Sequence, residues 1–358
     1  MNRRSVGRGI PRLITIGLLA LTMIISACAN KAGDTASGGA SGSGDGDGAA
    51  TLTIYSGQHE DLVTALVKAY RKLNDVSIEV RSGDDAELTN QLVEEGERTK
   101  ADLILTEEPG PIAQLDSKGL LAPVDRATLD KVDQRFVPST GDWLPWAARS
   151  RVMFYNPNLI DENDLPESIL DLANPEWKGR FAYAPSGAFA TTVGYLINTI
   201  GESKTLDWLK AIKENGVNEQ KNGKVRDSVE AGQHEFGLAN HYYWYVLAKE
   251  KGGAEALQSK VHYMGNRDAG ALVLASGAGI LKSSKNKAAA QKFLSWLAEA
   301  DGGQHVVAQY TPQYSLVEGV KSAYDIKPLA ELDPPELDQG SLTNTTEAKE
   351  LMIRAGMV

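Results

Sequence analysis

The chain carries a single cysteine, Cys28, so no internal disulfide can form. The fold must rest on a buried core, and 358 residues are enough to build one. Motifs for nucleotide or hydrolytic chemistry are missing as well: no P-loop, no GxGxxG after a strand, no HExxH and no GxSxG. Positive charge is in short supply. Lys and Arg number 37 against 47 Asp and Glu, for a net charge of −10, and no basic stripe marks the body, which argues against a nucleic-acid partner. Internal repeats are absent. No nucleophile stands beside a base and no cofactor motif appears, so a hydrolase or transferase using His59 as base has little to support it.

The N-terminus sets location. Arg3, Arg4, Arg8 and Arg12 precede an apolar run, Leu13 to Ile25, that is too short and wrongly flanked for a stable spanning helix. The run ends in Ile25-Ser26-Ala27-Cys28, which resembles the lipobox of bacterial lipoproteins. That resemblance implies a signal peptide over 1–27, cleavage before Cys28 and a lipid on its sulfur, which would anchor the protein on the extracytoplasmic face of the cell membrane. Lys31 to Ala50 is nearly all Gly, Ser, Ala and Asp and cannot bury a core, so 28–50 reads as lipidated cysteine plus flexible tether. The folded body then starts near Thr51, with about 300 residues, enough for two lobes.

From there the chain alternates. Strand Leu52–Tyr55, a helix with Leu62, Val63, Leu66, Val67, Tyr70 and Leu73 at helical spacing, strand Val76–Val80, a helix with Leu88, Leu92 and Val93 on one face, and strand Ala101–Leu105 form the pattern of a parallel sheet with crossover helices. Further strands are expected at Arg149–Tyr155, Phe181–Ala184, Glu235–Ala239, Val261–Met264, Ala271–Ala275 and Gly279–Leu281. Helices are expected after Pro185, around Leu206–Ile212 and Val225–Val229, from Trp244 to Lys251, near Ala288–Ala300 and Gly303–Gln309, and over Thr345–Ala355. The class is α/β. Ligands of such sheets sit beyond the carboxyl ends of strands. His59 and Glu107 fall on turns there, after different strands. Tyr242 and Tyr243 follow the strand Glu235–Ala239.

Two adjacent phenols usually pack a helix into a core. A histidine, an acidic turn and two tyrosines at strand ends also form a hard oxygen and nitrogen donor set that suits a ferric ion. Two phenolates and one carboxylate cancel three positive charges. Four protein donors leave two octahedral positions for an anion and a water. The Gly-containing helix start at Ser186-Gly187-Ala188 presents free N–H groups and suits an anion.

These stretches resemble the bacterial periplasmic ferric-ion-binding proteins, the receptors of iron ABC importers. The resemblance lies in Tyr55-Ser56-Gly57-Gln58-His59, Ala101-Asp102-Leu103 with Thr106-Glu107, Arg149-Ser150-Arg151-Val152, Pro185-Ser186-Gly187-Ala188-Phe189, Asn240-His241-Tyr242-Tyr243-Trp244, and Leu281-Lys282-Ser283-Ser284 followed by Asn286-Lys287. It implies a monomeric two-lobed type II periplasmic binding protein with a hinge and an interlobe cleft. One lobe would hold 51–150 plus 273–323, the other 151–272 plus 324–358. It implies metal ligands His59, Glu107, Tyr242 and Tyr243, and a phosphate or carbonate held by Ser186, Gly187, Ala188, Asn222 and Asn240. The implied partners are the permease and ATPase of an iron importer. Two departures stand out: Glu108 replaces a common amide near the anion, and His241 replaces a common asparagine. Glu108, Arg149, Arg151 and His241 are candidates for the layer around the donors. A binding protein of the same fold for an organic or oxyanion solute is the competing reading, and it would not need His59 or Glu107.

Overall fold

The computed structural model describes residues 51–358. Cys28, the expected cleavage site and the Gly/Ser tether lie outside the described residues. In chain order the elements are β1 (Thr51–Ser56), α1 (Glu60–Leu73), β2 (Ser77–Ser82), α2 (Asp85–Glu95), β3 (Leu103–Thr106), α3 (Pro109–Ser117), β4 (Leu121–Ala122), α4 (Arg126–Leu129), β5 (Trp143–Tyr155), β6 (Phe181–Tyr183), α5 (Gly187–Ile200), α6 (Glu202–Asn215), β7 (Val217–Asn218), α7 (Asn222–Glu230), β8 (Phe236–Asn240), α8 (Tyr242–Lys251), β9 (Lys260–His262), β10 (Val273–Leu281), α9 (Lys287–Leu297), α10 (Gly303–Tyr310) and α11 (Thr345–Arg354).

Helix α1 shows why the pattern folds as it does. Leu62, Val63, Leu66 and Tyr70 bury one face, while Glu60 and Asp61 open the helix and Arg71 and Lys72 close it, each charge favoured by the helix dipole. β1 pairs in parallel with β2 and β3, as the alternating pattern implies. Among the described residues the strands run β2-β1-β3-β10-β5-β8-β6-β7, with β4 on β10 and β9 on β5.

One strand serves both halves of this array. β5 pairs with β10 through Trp143–Ser150 and with β8 through Arg151–Tyr155. The sequence pattern showed only its second half, because Pro145 reads as a strand breaker. The proline is accommodated opposite Gly277, where a register shift between Ser276 and Gly277 interrupts the ladder. Gly277 allows a close approach there: a Cβ would lie 2.5 Å from Ile112 Cγ2. The two short strands expected around 271–281 are one strand, β10, running through this irregularity. α8 begins two residues earlier than expected, so Tyr242 and Tyr243 are its first turn.

Two large apolar clusters flank the array. The first gathers Leu52, Ile54, Leu66, Trp146 and Phe293. The second gathers Phe181, Phe189, Trp208, Phe236 and, from α11, Leu351 and Met352. Ile326, Leu329 and Leu332 pack on the first cluster, before the chain reaches α11 and the second.

Candidate metal centre

Four turns at strand ends meet in one cleft. His59 caps α1 after β1, and Glu107 follows β3. Tyr242 and Tyr243 open α8 after β8, and Ser186 caps α5 after β6. The Tyr242 hydroxyl donates to Glu107 Oε1 at 3.1 Å, and His59 Nε2 lies 3.5 Å from the same oxygen. The two tyrosine rings stack at 4.3 Å, and the His59 and Tyr242 rings meet edge-on at 5.7 Å. Two of the expected donors, Tyr242 and His59, therefore meet at one oxygen of a third, Glu107, and the fourth, Tyr243, stacks on Tyr242. Among the described residues no cluster of three or more His, Cys, Asp or Glu is gathered for a metal, so any ion here depends on the phenols.

The electrostatics explain the uncharged state of those phenols. Burial pushes Tyr242 well above the ordinary phenol value, and the charge of Glu107 adds to it. Burial raises Tyr243 too. Burial would also raise Glu107, but His59, Arg149 and Tyr242 outweigh it and hold the carboxyl below its usual range. His59 is raised by its bond to Glu107, with burial opposing. An entering cation of high charge would displace these protons.

The anion-side residues are also present. Asn222 Nδ2 donates to Ser186 Oγ at 3.1 Å, beside the first N–H groups of α5. Asn240 lines the cleft and accepts from Arg151 Nη1 through its Oδ1 at 2.9 Å. Glu108 reaches the same place: a Cβ on Gly187 would lie 3.5 Å from its Cγ. Its carboxylate pairs with Arg149 Nη2 at 3.0 Å, and both groups are buried. Burial raises Glu108, with Arg149 pulling the other way.

His241 faces away from the centre. Its Nδ1 accepts the Ser150 N–H at 3.1 Å, and its Nε2 meets the Pro312 carbonyl at 2.7 Å. The ring stacks on Tyr314 at 4.6 Å, and burial lowers its pKa to about 4. Both nitrogens are committed to backbone, so His241 is not a further donor, while its ring lies edge-on to Tyr242 at 6.3 Å.

Two residues of that layer escaped the sequence. The partly buried carboxylate of Asp85 accepts the N–H groups of Glu107 at 3.0 Å and Glu108 at 2.9 Å. It also presses on Gly57, where a Cβ would fall 1.8 Å from Asp85 Oδ1, so only glycine fits before the His59 turn. Burial raises Asp85 to about 8. The Asp84-Asp85 pair gave no hint of this, because acids at a helix start read as caps; Asp84 is the cap here. Ser276 is the other. Its hydroxyl receives Arg149 Nη1 at 2.7 Å and Gln58 Nε2 at 3.0 Å and donates to the Glu107 carbonyl at 3.1 Å.

The model of a bacterial extracellular solute-binding protein matches residues 56–304. The chain belongs to that family. The family binds solutes for transport and is not enzymatic. Over 308 residues the chain is 40% identical to the Fe(3+)-binding periplasmic protein of Serratia marcescens, covering 86% of this chain and 90% of that one. The major ferric iron-binding protein of Neisseria meningitidis serogroup B is 35% identical over 311 residues, covering 86% and 93%. Iron-bound HitA from Pseudomonas aeruginosa superposes with a TM-score of 0.80 at 40% identity, over 86% of this chain and 99% of that one. A Trichodesmium protein in complex with iron and citrate gives 0.74 at 26% identity, over 86% and 99%. The fold is thus the two-lobed α/β architecture of periplasmic iron-binding proteins.

Proposed function

We propose that this protein captures ferric iron outside the cytoplasm and hands it to an ABC importer. The observation that carries the reading is the approach of Tyr242 and His59 to one oxygen of Glu107 in a cleft between two cores. In that reading Tyr242 and Tyr243 bind as phenolates, Glu107 as carboxylate and His59 as neutral imidazole. A bridging phosphate or carbonate is held by the N–H groups of Ser186, Gly187 and Ala188 with Asn222 and Asn240, and a water completes the octahedron. Arg149 and Arg151 offset the added negative charge.

The lobe division belongs to the same proposal, with closure about β5 and β10: 51–150 plus 273–323 against 151–272 plus the tail, but the expected boundary at 324 moves past Leu332, because Ile326, Leu329 and Leu332 pack on the first cluster. So does the diacylglyceryl anchor at Cys28, which supplies the second chain that a single acyl group lacks. The test is a visible spectrum of the iron-free protein before and after ferric citrate. A phenolate-to-iron charge-transfer band is expected. Its absence, with no iron retained after desalting, would refute the ferric assignment and leave the organic or oxyanion solute in its place.

A further inference from the structure

Tyr242 and His59 already stand 3.1 and 3.5 Å from Glu107, so the donors are drawn together. The cleft nevertheless keeps a cavity of about 540 Å³. Water occupies roughly 30 Å³ per molecule, so an ion, a small oxyanion and one water account for on the order of 150 Å³. The surplus has a direction. From the tyrosines and the Ser186 turn the cavity extends to α3, α5 and α11, where its wall is Pro111, Ala190, Met352, Ile353 and Val358. That end is mainly apolar, with Thr191 and Thr345 beside these side chains, and Ile353 and Val358 are exposed. The Lys349 side chain also lines it, on the same helix as Met352 and Ile353. A phosphate or carbonate uses none of this surface.

A pocket that joins a few convergent polar groups to an apolar wall is the usual form of a site for an organic ligand. The centre leaves two coordination positions to non-protein atoms. A bidentate ligand with two oxygen donors and a flat ring satisfies both parts at once. Polyhydroxy acids such as citrate fill the coordination positions but bring little apolar surface to the wall.

We propose that the cleft takes iron(III) together with a small aryl chelator of the ortho-hydroxybenzoate class, its ring in the compartment between α3, α5 and α11. The proposal rests on the ferric reading above. In the exchange, a carboxylate oxygen and a phenolate oxygen each donate a lone pair to the ion. They displace the water and the oxyanion, the phenolic proton leaves to solvent, and the iron stays ferric. Arg151, buried with Asn240 as its hydrogen-bond partner, and Lys349 supply positive charge for the dianion.

The test uses the full chain, iron-free, titrated with iron(III) presented as phosphate, as citrate and as salicylate at matched free-iron activity. Tyrosine fluorescence and the charge-transfer band report binding. Ile353→Asp and Lys349→Glu, both at exposed positions, are compared with the parent protein, and thermal melts confirm their folding. The salicylate form is expected to bind at least tenfold tighter than the phosphate form, equivalent to about 1.4 kcal/mol. Ile353→Asp should abolish that preference and leave the phosphate form unchanged. Equal affinity for all three forms, or an equal loss for all three in Ile353→Asp, overturns the aryl compartment while the ferric reading stands. Failure to bind iron in any form overturns the ferric reading and this inference with it.

Discussion

Replacing Tyr242 with phenylalanine separates packing from coordination. The ring is buried, stacked on Tyr243 and edge-on to His59, and phenylalanine keeps all of that. The single lost contact in the iron-free protein is the hydrogen bond to Glu107. A hydrogen bond to a charged group contributes about 1.5–3 kcal/mol, and Glu107 keeps His59 and Arg149 nearby, so the apoprotein should lose no more than about 2 kcal/mol. The iron complex loses an anionic donor outright. Even a partner outside the coordination sphere typically changes metal affinity by about 10- to 100-fold, so the loss here should exceed about 100-fold. Ionising one ordinary phenol at pH 7 already costs about 4 kcal/mol, and burial increases that cost for Tyr242, so the ion must repay it on binding. The assay is competition against a calibrated chelator at pH 7, read by the visible band, with a parallel melt of the apoprotein. Unchanged affinity and colour with an intact fold would refute the coordination argument. A large fall in apoprotein stability would refute the packing argument.

Further outcomes follow from the same contacts. Glu107→Gln should weaken iron binding more than Glu108→Gln, measured by the same competition; the reverse order would move the ligand to Glu108. Glu108→Gln should instead lower stability, by no more than about 3 kcal/mol in chemical denaturation, because buried Arg149 loses its nearer carboxylate and keeps only Glu107 at 3.8 Å. Asp85 has a folded value of about 8, above its unfolded value of 3.8, so the native apoprotein holds an extra proton between those pH values. Its contribution to stability is therefore full below about pH 4 and declines as pH rises toward 8, by up to about 1.4 kcal/mol per unit. Denaturation of Asp85→Asn across that window should show a flatter pH slope, and an unchanged slope would contradict the assignment. Cys28→Ala should free the protein from membranes, or block its processing, without altering iron affinity; mass spectrometry of an unmodified Cys28 in the parent would exclude the anchor.

Much of the architecture was readable because local periodicity and burial agree. The apolar faces of α1, α2 and α6 and the parallel run β1-α1-β2-α2-β3 have the spacing that a sheet with crossover helices requires. The start of β5 was hidden by Pro145, whose missing N–H is tolerated only because of an irregularity in a strand more than a hundred residues away. Similarly, Asp85 and Ser276 could not be found locally. Each acts on a backbone group or side chain distant in sequence, and neither belongs to a motif. His59, Glu107, Tyr242 and Tyr243 were picked out by residue type and by resemblance, and the structure brings these four side chains together in one cleft. For His241, adjacency in sequence left direction open, since neighbouring side chains at the first turn of a helix diverge by roughly 100°, and its nitrogens bond the backbone at Ser150 and Pro312.

The continuity of β5 has a kinematic consequence. Its ladder changes partner between Ser150 and Arg151, so one stretch of backbone is clamped on either side to different neighbours. Any swing of one set of neighbours against the other must be absorbed as torsion close to this point. The guanidiniums of Arg149 and Arg151 are mounted on it, one gripping Glu108 and Ser276, the other Asn240. Twisting the strand therefore turns both grips together. Under the proposed closure about β5 and β10, the cleft's width and the charge around its contents would therefore change together.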